Sequence, residues 1–182
     1  TVRTITMTSE EITNAMVQNT RVISTSTGNV GYMTFNFFRA PAEAELVAAI
    51  NELNTGAGID DLVLDLRYNG GGYLAIASQL SYMIAGSGPT AGKNFETLQF
   101  NDKHPSTNPV TGSSLAPTPF YDGTIGLSLG SGQALPTLDL TRVYVLTSGD
   151  TCSASEAVMN GLRGTGVEVI QIGSTTCGKP YR

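Results

Sequence analysis

Apolar and polar positions recur along this chain with periods that separate strands from helices. Over residues 21–38, RVISTSTGNVGYMTFNFF, two β-rich runs flank Thr27, Gly28 and Asn29, and the pattern predicts a hairpin. PAEAELVAAINELN (41–54) opens on a proline, carries acids in its first turn and sets Leu46, Val47, Ile50 and Leu53 on one face, which predicts an amphipathic helix. DDLVLDLR (60–67), RVYVLTS (142–148) and VEVIQIG (167–173) are near-continuous apolar runs, the pattern of strands buried on both faces. YLAIASQLSYMIAG (73–86) and SASEAVMNGLR (153–163) read as helices between them. At the start, VRTITM (2–7) alternates like a strand, and TSEE (8–11) has the form of a capping box that opens a short helix to about Asn19. Residues 87–138 are rich in Gly, Pro, Ser, Thr and Asn, and predict a long loop region with a weak strand at 95–100. Strands alternating with helices give an α/β domain of crossover units with a parallel sheet.

Composition narrows this picture. A chain of 182 residues with 40% hydrophobic and 14% charged positions suits one globular core. At that length roughly 70% of the unfolded surface can be buried, so no metal or disulfide framework is required for folding. A net charge of −5 and a pI near 4.7 argue against nucleic-acid binding, because no basic stripe exists to neutralise phosphates. No apolar run approaches the ~18 residues of a membrane span, and no signal peptide opens the chain. The abrupt start on a strand-like stretch suggests a fragment of a longer precursor.

Candidate chemistry gathers at two strand–turn–helix junctions, LVLDLRYNGGGY and YVLTSGDTCSASEA. In α/β sheets, ligand sites lie where loops leave the carboxyl ends of strands. The glycines of NGGG permit positive φ and close approach of other atoms, and successive N–H groups there could point at an anion. Neither a GxxxxGK[ST] nor a GxGxxG phosphate loop is present, and a plain tight turn explains the glycines equally well. In TCSASE, Ser153 or Ser155 could cap the following helix, with Glu156 suiting its dipole. A serine at a strand-to-helix bend could instead be a nucleophile, with the next N–H stabilising an oxyanion, although the GxSxG form is absent. A serine needs a base. His104, the single histidine, sits in the irregular NDKHPSTNP and reads as a surface residue. Lys179, after the last predicted strand, is the alternative. An ordinary lysine is neutral in only about one molecule in 2,500 at pH 7, so a lysine base requires desolvation or a neighbouring cation. Taken alone, a solvated lysine remains open.

LVLDLRYNGGG, YVLTSGDTCSASEAVMNGLR and VIQIGSTTCGKP, in that order, resemble the three signature segments of the carboxyl-terminal (tail-specific) processing proteases. NVGYMTFNFF and the helix after it also resemble that family's first core strand and helix, so the similarity runs from about residue 20 onward. The resemblance implies a ClpP/crotonase-like α/β core and a serine endopeptidase that cuts polypeptides, near their C-termini, by a Ser–Lys dyad. It implies Ser153 as nucleophile, Lys179 as general base, and an oxyanion hole from the Ala154 N–H with that of Gly71 or Gly72. No cofactor and no metal enter that chemistry, which also leaves His104 unused. It divides the chain into a leading strand and short helix over 1–20, as from an upstream linker, and a catalytic core over 21–182.

This sequence departs from the family pattern in two respects. A glutamine that often follows the lysine by four positions would fall at 183, and family cores continue with further strands, so the core is expected to be truncated at its C-terminal end. Many members also carry a PDZ domain, expected here upstream in a parent protein. If Ser153 and Lys179 meet, the neighbouring Cys152 and Cys177 come together, and a disulfide between them is expected, the alternative being two buried thiols. Such a bridge implies an oxidising location: periplasm, cell surface or exterior. Two other readings stay open, a non-catalytic member that binds a peptide or apolar ligand, and an acyl-CoA enzyme on a crotonase-like core.

Overall fold

The computed structural model describes residues 3–9 and 14–179. The β-rich runs on either side of Thr27 pair as an antiparallel hairpin of β1 (Val17–Thr25) and β2 (Gly28–Phe35). From β2 the chain crosses through α1 (Ala42–Leu53) to β3 (Asp61–Asp65), then through α2 (Leu74–Ala85) and α3 (Ser87–Thr90) into the polar region. Within that region β4 (Asn94–Glu96) pairs with β5 (Thr118–Pro119) as a separate two-stranded ribbon. The chain then returns through β6 (Arg142–Thr147), α4 (Ala154–Thr165) and β7 (Glu168–Gly173). The main sheet has the order β1-β2-β3-β6-β7, with every pair beyond the hairpin parallel. This is the mixed α/β architecture with crossover helices that the apolar runs predict.

One face of the sheet is buried under the helices. Met33, Phe35, Leu62, Leu64, Val143 and Val145 point into a core shared with Leu46, Ile50 and Leu53 of α1, Ile76 and Leu80 of α2, and Val158 and Leu162 of α4. Each fully buried aliphatic or aromatic side chain stabilises the fold by about 1.5–3 kcal/mol. Asp65 faces the other way and is nonetheless buried. Burial alone would raise its pKa, but Arg67, 2.7 Å away, and the Tyr32 hydroxyl, 2.8 Å away, hold the carboxyl below its ordinary range.

The amino-terminal expectations need correction. Residues 3–7 lie in no strand, and Val2 falls outside the described residues. Thr8, Ser9, Asn14 and Ala15 are not helical, residues 10–13 fall outside the described ones, and Val17–Asn19 already belong to β1. The local capping signal of TSEE competes with a tertiary one. The Val17 N–H donates to Glu45 Oε2 at 2.8 Å, and Val17 pairs with Phe35 in the sheet, so strand pairing takes residues 17–19. In the polar region the strand occupies Asn94–Glu96 and ends before the expected 97–100.

Glu43 does more than complement the dipole of α1. It is 1% exposed and receives five hydrogen bonds, from Gln79 Nε2 and from the backbone N–H groups of Ile125, Leu127, Ser128 and Leu129, at 2.7–3.1 Å. The loop 125–129 is thereby wrapped around a single carboxylate. Burial pushes the Glu43 pKa up, but the Gln79 and backbone donors outweigh it and bring it from 4.5 to about 2. A depressed carboxyl stabilises the fold above its unfolded pKa, and the contribution is lost as pH falls through the folded value. The difference from 4.5 to about 2 is worth about 3 kcal/mol at neutral pH. Urea unfolding is expected to show Glu43→Ala less stable than wild type by about 3 kcal/mol at pH 7. About 2 kcal/mol of that gap should disappear between pH 7 and pH 3. A gap that does not change with pH would show that the ionised carboxylate is not what holds the loop.

Candidate active site

All four parallel strands end at the same edge of the sheet, so the segments leaving β2, β3, β6 and β7 converge there. Asn69, fully buried, joins three of them. Its side-chain amide donates to Phe35 O at 2.9 Å, and its Oδ1 accepts the Gly71 N–H at 2.9 Å. Its carbonyl accepts the Cys152 N–H at 3.1 Å and the Ser155 hydroxyl at 3.0 Å. Thr151 Oγ1 donates to Leu66 O at 2.8 Å, and the Ser148 hydroxyl to Arg67 O. The loop after β6 is thus stitched to the loop after β3.

The glycine turn lies against the start of α4. A Cβ on Gly71 would stand 2.8 Å from Cys152 O, 2.8 Å from Ser153 Cβ and 3.0 Å from Ala154 N. Gly71 also has a φ of 102°, which disfavours any side chain. Phe38 pairs with Gly72, donating to Gly71 O at 3.1 Å and accepting from Tyr73 N at 2.8 Å, and this ribbon fixes the turn to the end of β2. The two candidate glycine donors differ. The Gly71 N–H is committed to Asn69, whereas the N–H groups of Gly72 and Ala154 meet no acceptor among the described residues.

Ser153 stands at the bend into α4 with φ 59° and ψ −113°. A non-glycine residue held there costs of order 1–3 kcal/mol, which the surrounding bonds must sustain. Both readings of TCSASE are realised together. Ser153 and Glu156 form a capping box, with the Ser153 N–H donating to Glu156 Oε2 at 2.8 Å, and the half-buried Ser153 is also lifted out at the strand-to-helix turn.

Glu156 has a second task that the sequence did not disclose. The segment after β7 folds back across it. Thr176 Oγ1 and the Gly178 N–H each donate to Oε1 at 2.8 Å, and the Lys179 N–H donates to Oε2 at 3.1 Å. Burial pushes the Glu156 carboxyl up, but the Thr176 hydroxyl and the N–H groups of Ser153, Lys179 and Gly178 prevail and hold it below its ordinary value. One carboxylate therefore binds the backbone of Ser153 and the backbone of Lys179. Cys152 and Cys177 are joined by a disulfide with Cα atoms 5.2 Å apart, and the Cys177 N–H donates to Thr151 O at 3.0 Å. Of the residues singled out in the sequence, Ser153, Ala154, Gly71, Cys152, Cys177 and the Lys179 backbone come together, with Gly72 adjoining on the Phe38 side. Lys179 itself is exposed. His104 lies instead in the β4–β5 connection, its N–H bonded to Asn101 O at 2.9 Å.

Asn69 and Glu156 are the residues that sequence reasoning undervalued. Their partners lie up to 86 positions away, and only the Asn-Gly step and the capping box marked them locally. A hydroxyl raised on such a bend can attack a carbonyl carbon, and N–H groups that meet no acceptor among the described residues can hold the oxygen that becomes negative.

The site and the sheet order define a class: a mixed α/β core of mostly parallel strands and crossover helices with a serine at the carboxyl-end edge of the sheet. The model of peptidase family S41 matches residues 29–181, and the chain belongs to that family. Its fold is similar to that of a putative S41 protease from Bacteroides fragilis, with 28% identity, a TM-score of 0.71, and coverage of 93% of this chain and 41% of the other. It is also similar to the photosystem II D1 C-terminal processing protease, with 20% identity, a TM-score of 0.62, and coverage of 92% and 38%. A lipoprotein from Streptococcus agalactiae shares 14% identity at a TM-score of 0.54, over 88% of this chain and 51% of its own. The chain thus spans about two fifths of the length of the first two structures. No match was found among curated proteins.

Proposed function

We propose that this chain is the catalytic core of a serine endopeptidase in which Ser153 attacks a peptide carbonyl and Lys179 is its base. The observation that carries the reading is the shared Glu156 carboxylate, which ties the Ser153 and Lys179 backbones together beside Gly71. Family membership supports it. In the proposed reaction Ser153 Oγ forms a bond to the carbonyl carbon while its proton passes to Lys179 Nζ. The tetrahedral oxyanion is held by the N–H groups of Ala154 and Gly72, which meet no acceptor among the described residues. One such donor typically lowers the barrier by about 3–4 kcal/mol. Lysine then protonates the leaving amine, the C–N bond breaks, and water releases the acyl group from Ser153 by the reverse sequence. The substrate is a polypeptide, cleaved near its C-terminus, and the disulfide beside the nucleophile favours a periplasmic, cell-surface or secreted setting.

Labelling with a fluorophosphonate tests the dyad. The parent protein is expected to carry one phosphonyl adduct, which peptide mass mapping assigns to Ser153. Lys179→Ala should label at least about a hundredfold more slowly. An adduct elsewhere, or none, would overturn the assignment in favour of a non-catalytic binding protein.

A further inference from the structure

The two ends of the Cys152–Cys177 bridge are anchored unequally. Cys152 lies one position before Ser153, and the core holds it firmly. Its N–H is bonded to Asn69 O, the buried Thr151 hydroxyl donates to Leu66 O, and the buried Ser155 hydroxyl donates to Asn69 O. Cys177 lies two positions before Lys179, in a stretch (174–179) that is exposed apart from the half-buried Thr176. Beyond Ser174, the Thr176 hydroxyl and the N–H groups of Gly178 and Lys179 reach Glu156, and the Cys177 N–H reaches Thr151 O. The remaining attachment among the described residues is the S–S bond. Hydrogen bonds at an exposed site, even to a carboxylate, compete with water and add little net stability each. A stretch held by them without apolar burial opens locally at far lower cost than the whole fold. The covalent bridge is thus the durable fastening of the lysine-bearing stretch. Cys177, the weakly anchored end, is also the exposed one, whereas Cys152 is half-buried.

We propose that the Cys152–Cys177 bond is a reversible redox control of this site. Closed, it holds the stretch bearing Lys179 against the start of α4. Open, it releases that stretch while the Ser153 side stays in place. The reductant is a dithiol. One of its thiolates attacks the exposed Cys177 Sγ, forming a mixed disulfide and expelling the Cys152 thiolate, which takes up a proton. The second thiol of the reductant gives up its proton and attacks the mixed disulfide, expelling the Cys177 thiolate, which is protonated in turn. Two electrons have passed to the two cysteines, and the reductant leaves as a disulfide. Exchange with an oxidised disulfide compound reverses both steps. The base is therefore fixed only where the surroundings are oxidising. Release of the stretch stands on the geometry alone, whereas its effect on turnover rests on the Ser153–Lys179 reading.

The test compares amide hydrogen exchange in the oxidised chain and in the chain reduced with dithiothreitol. The amides of Cys177, Gly178 and Lys179 are expected to exchange at least about tenfold faster on reduction, with those of β3 and β6 unchanged. No acceleration overturns the proposal. Acceleration that spreads through β3 and β6 also overturns it, since the bond would then be a staple of the whole fold. In the parent protein, fluorophosphonate labelling of Ser153 is expected to slow at least about tenfold on reduction and to recover with oxidised glutathione. The double variant Cys152→Ala, Cys177→Ala should label at the reduced rate and ignore the reductant. Labelling that does not respond to reduction, with faster exchange at 177–179, overturns the control of activity and leaves the release. Absence of labelling from the oxidised parent marks failure of the peptidase reading instead, and the exchange result still decides the release.

Discussion

Ser153→Ala is expected to lower kcat for hydrolysis of an unstructured polypeptide by at least about 10⁴-fold in the parent protein. Stability should fall by only about 0.5–2 kcal/mol, the cost of losing a capping hydroxyl. The two expectations separate because the side chain gives the fold only its half of the capping box, and the backbone gives the rest. Its N–H remains on Glu156 Oε2 whatever the side chain, and the unusual φ of 59° is no more costly for alanine than for serine. The oxygen removed is the attacking one, which also serves as the cap acceptor. Substrate affinity should therefore survive, and an inactive variant that still binds polypeptide distinguishes a peptidase from a binding member of the fold. Lys179→Ala should show nearly the same loss, and the double variant little more than either single one, since nucleophile and base act as one unit. Turnover by Ser153→Ala within tenfold of wild type would dispose of the proposed mechanism.

Gly71→Ala is expected to reduce kcat/KM by about 10²–10³-fold and to destabilise the fold by about 2–4 kcal/mol. The new methyl would stand 2.8 Å from Cys152 O and Ser153 Cβ and 3.0 Å from Ala154 N, and none of these is the tip of a flexible side chain. Either the start of α4 moves outward or the turn moves away from it, and each displaces Ser153 relative to the donors around it. The φ of 102° adds strain even where space could be made. Gly70→Ala is the control, because nothing lies within 4 Å of a Cβ at that position. It should retain most of its activity and lose less than about 1 kcal/mol. Denaturant unfolding and peptide hydrolysis on the pair decide the matter: similar behaviour of the two variants would remove Gly71 from the site.

What the sequence disclosed follows the range of the interactions involved. The helices at 42–53, 74–85 and 154–165 and the strands at 61–65 and 142–147 were legible because burial writes itself into local periodicity, whereas the strand at 168–173, expected as a buried run, lies at the sheet edge without a buried residue. The helix expected from Thr8 does not extend to Asn19, because the pairing of Val17 with Phe35, which claims that end, is invisible without the fold. The same limit applied to Glu43. In the sequence it is one of the acids in the first turn of a helix, and its partners at 125–129 lie in a region with no period to read. At the site, the three motif stretches were legible as strand exits rich in glycine and hydroxyls. Asn69 and Glu156 were not, because each acts by collecting backbone groups from segments far apart in sequence.

The order in which these segments occur along the chain has a consequence for biosynthesis. Parallel pairing brings β6 beside β3, and β7 beside β6, only after their crossovers have closed, and the stretch 174–179 that completes the cluster on Glu156 is the last of the site to be made. A nascent polypeptide that has emerged only as far as α4 holds the serine without the lysine. Under the proposed mechanism that intermediate has no base, and competence arrives only when β7 and the segment after it have docked.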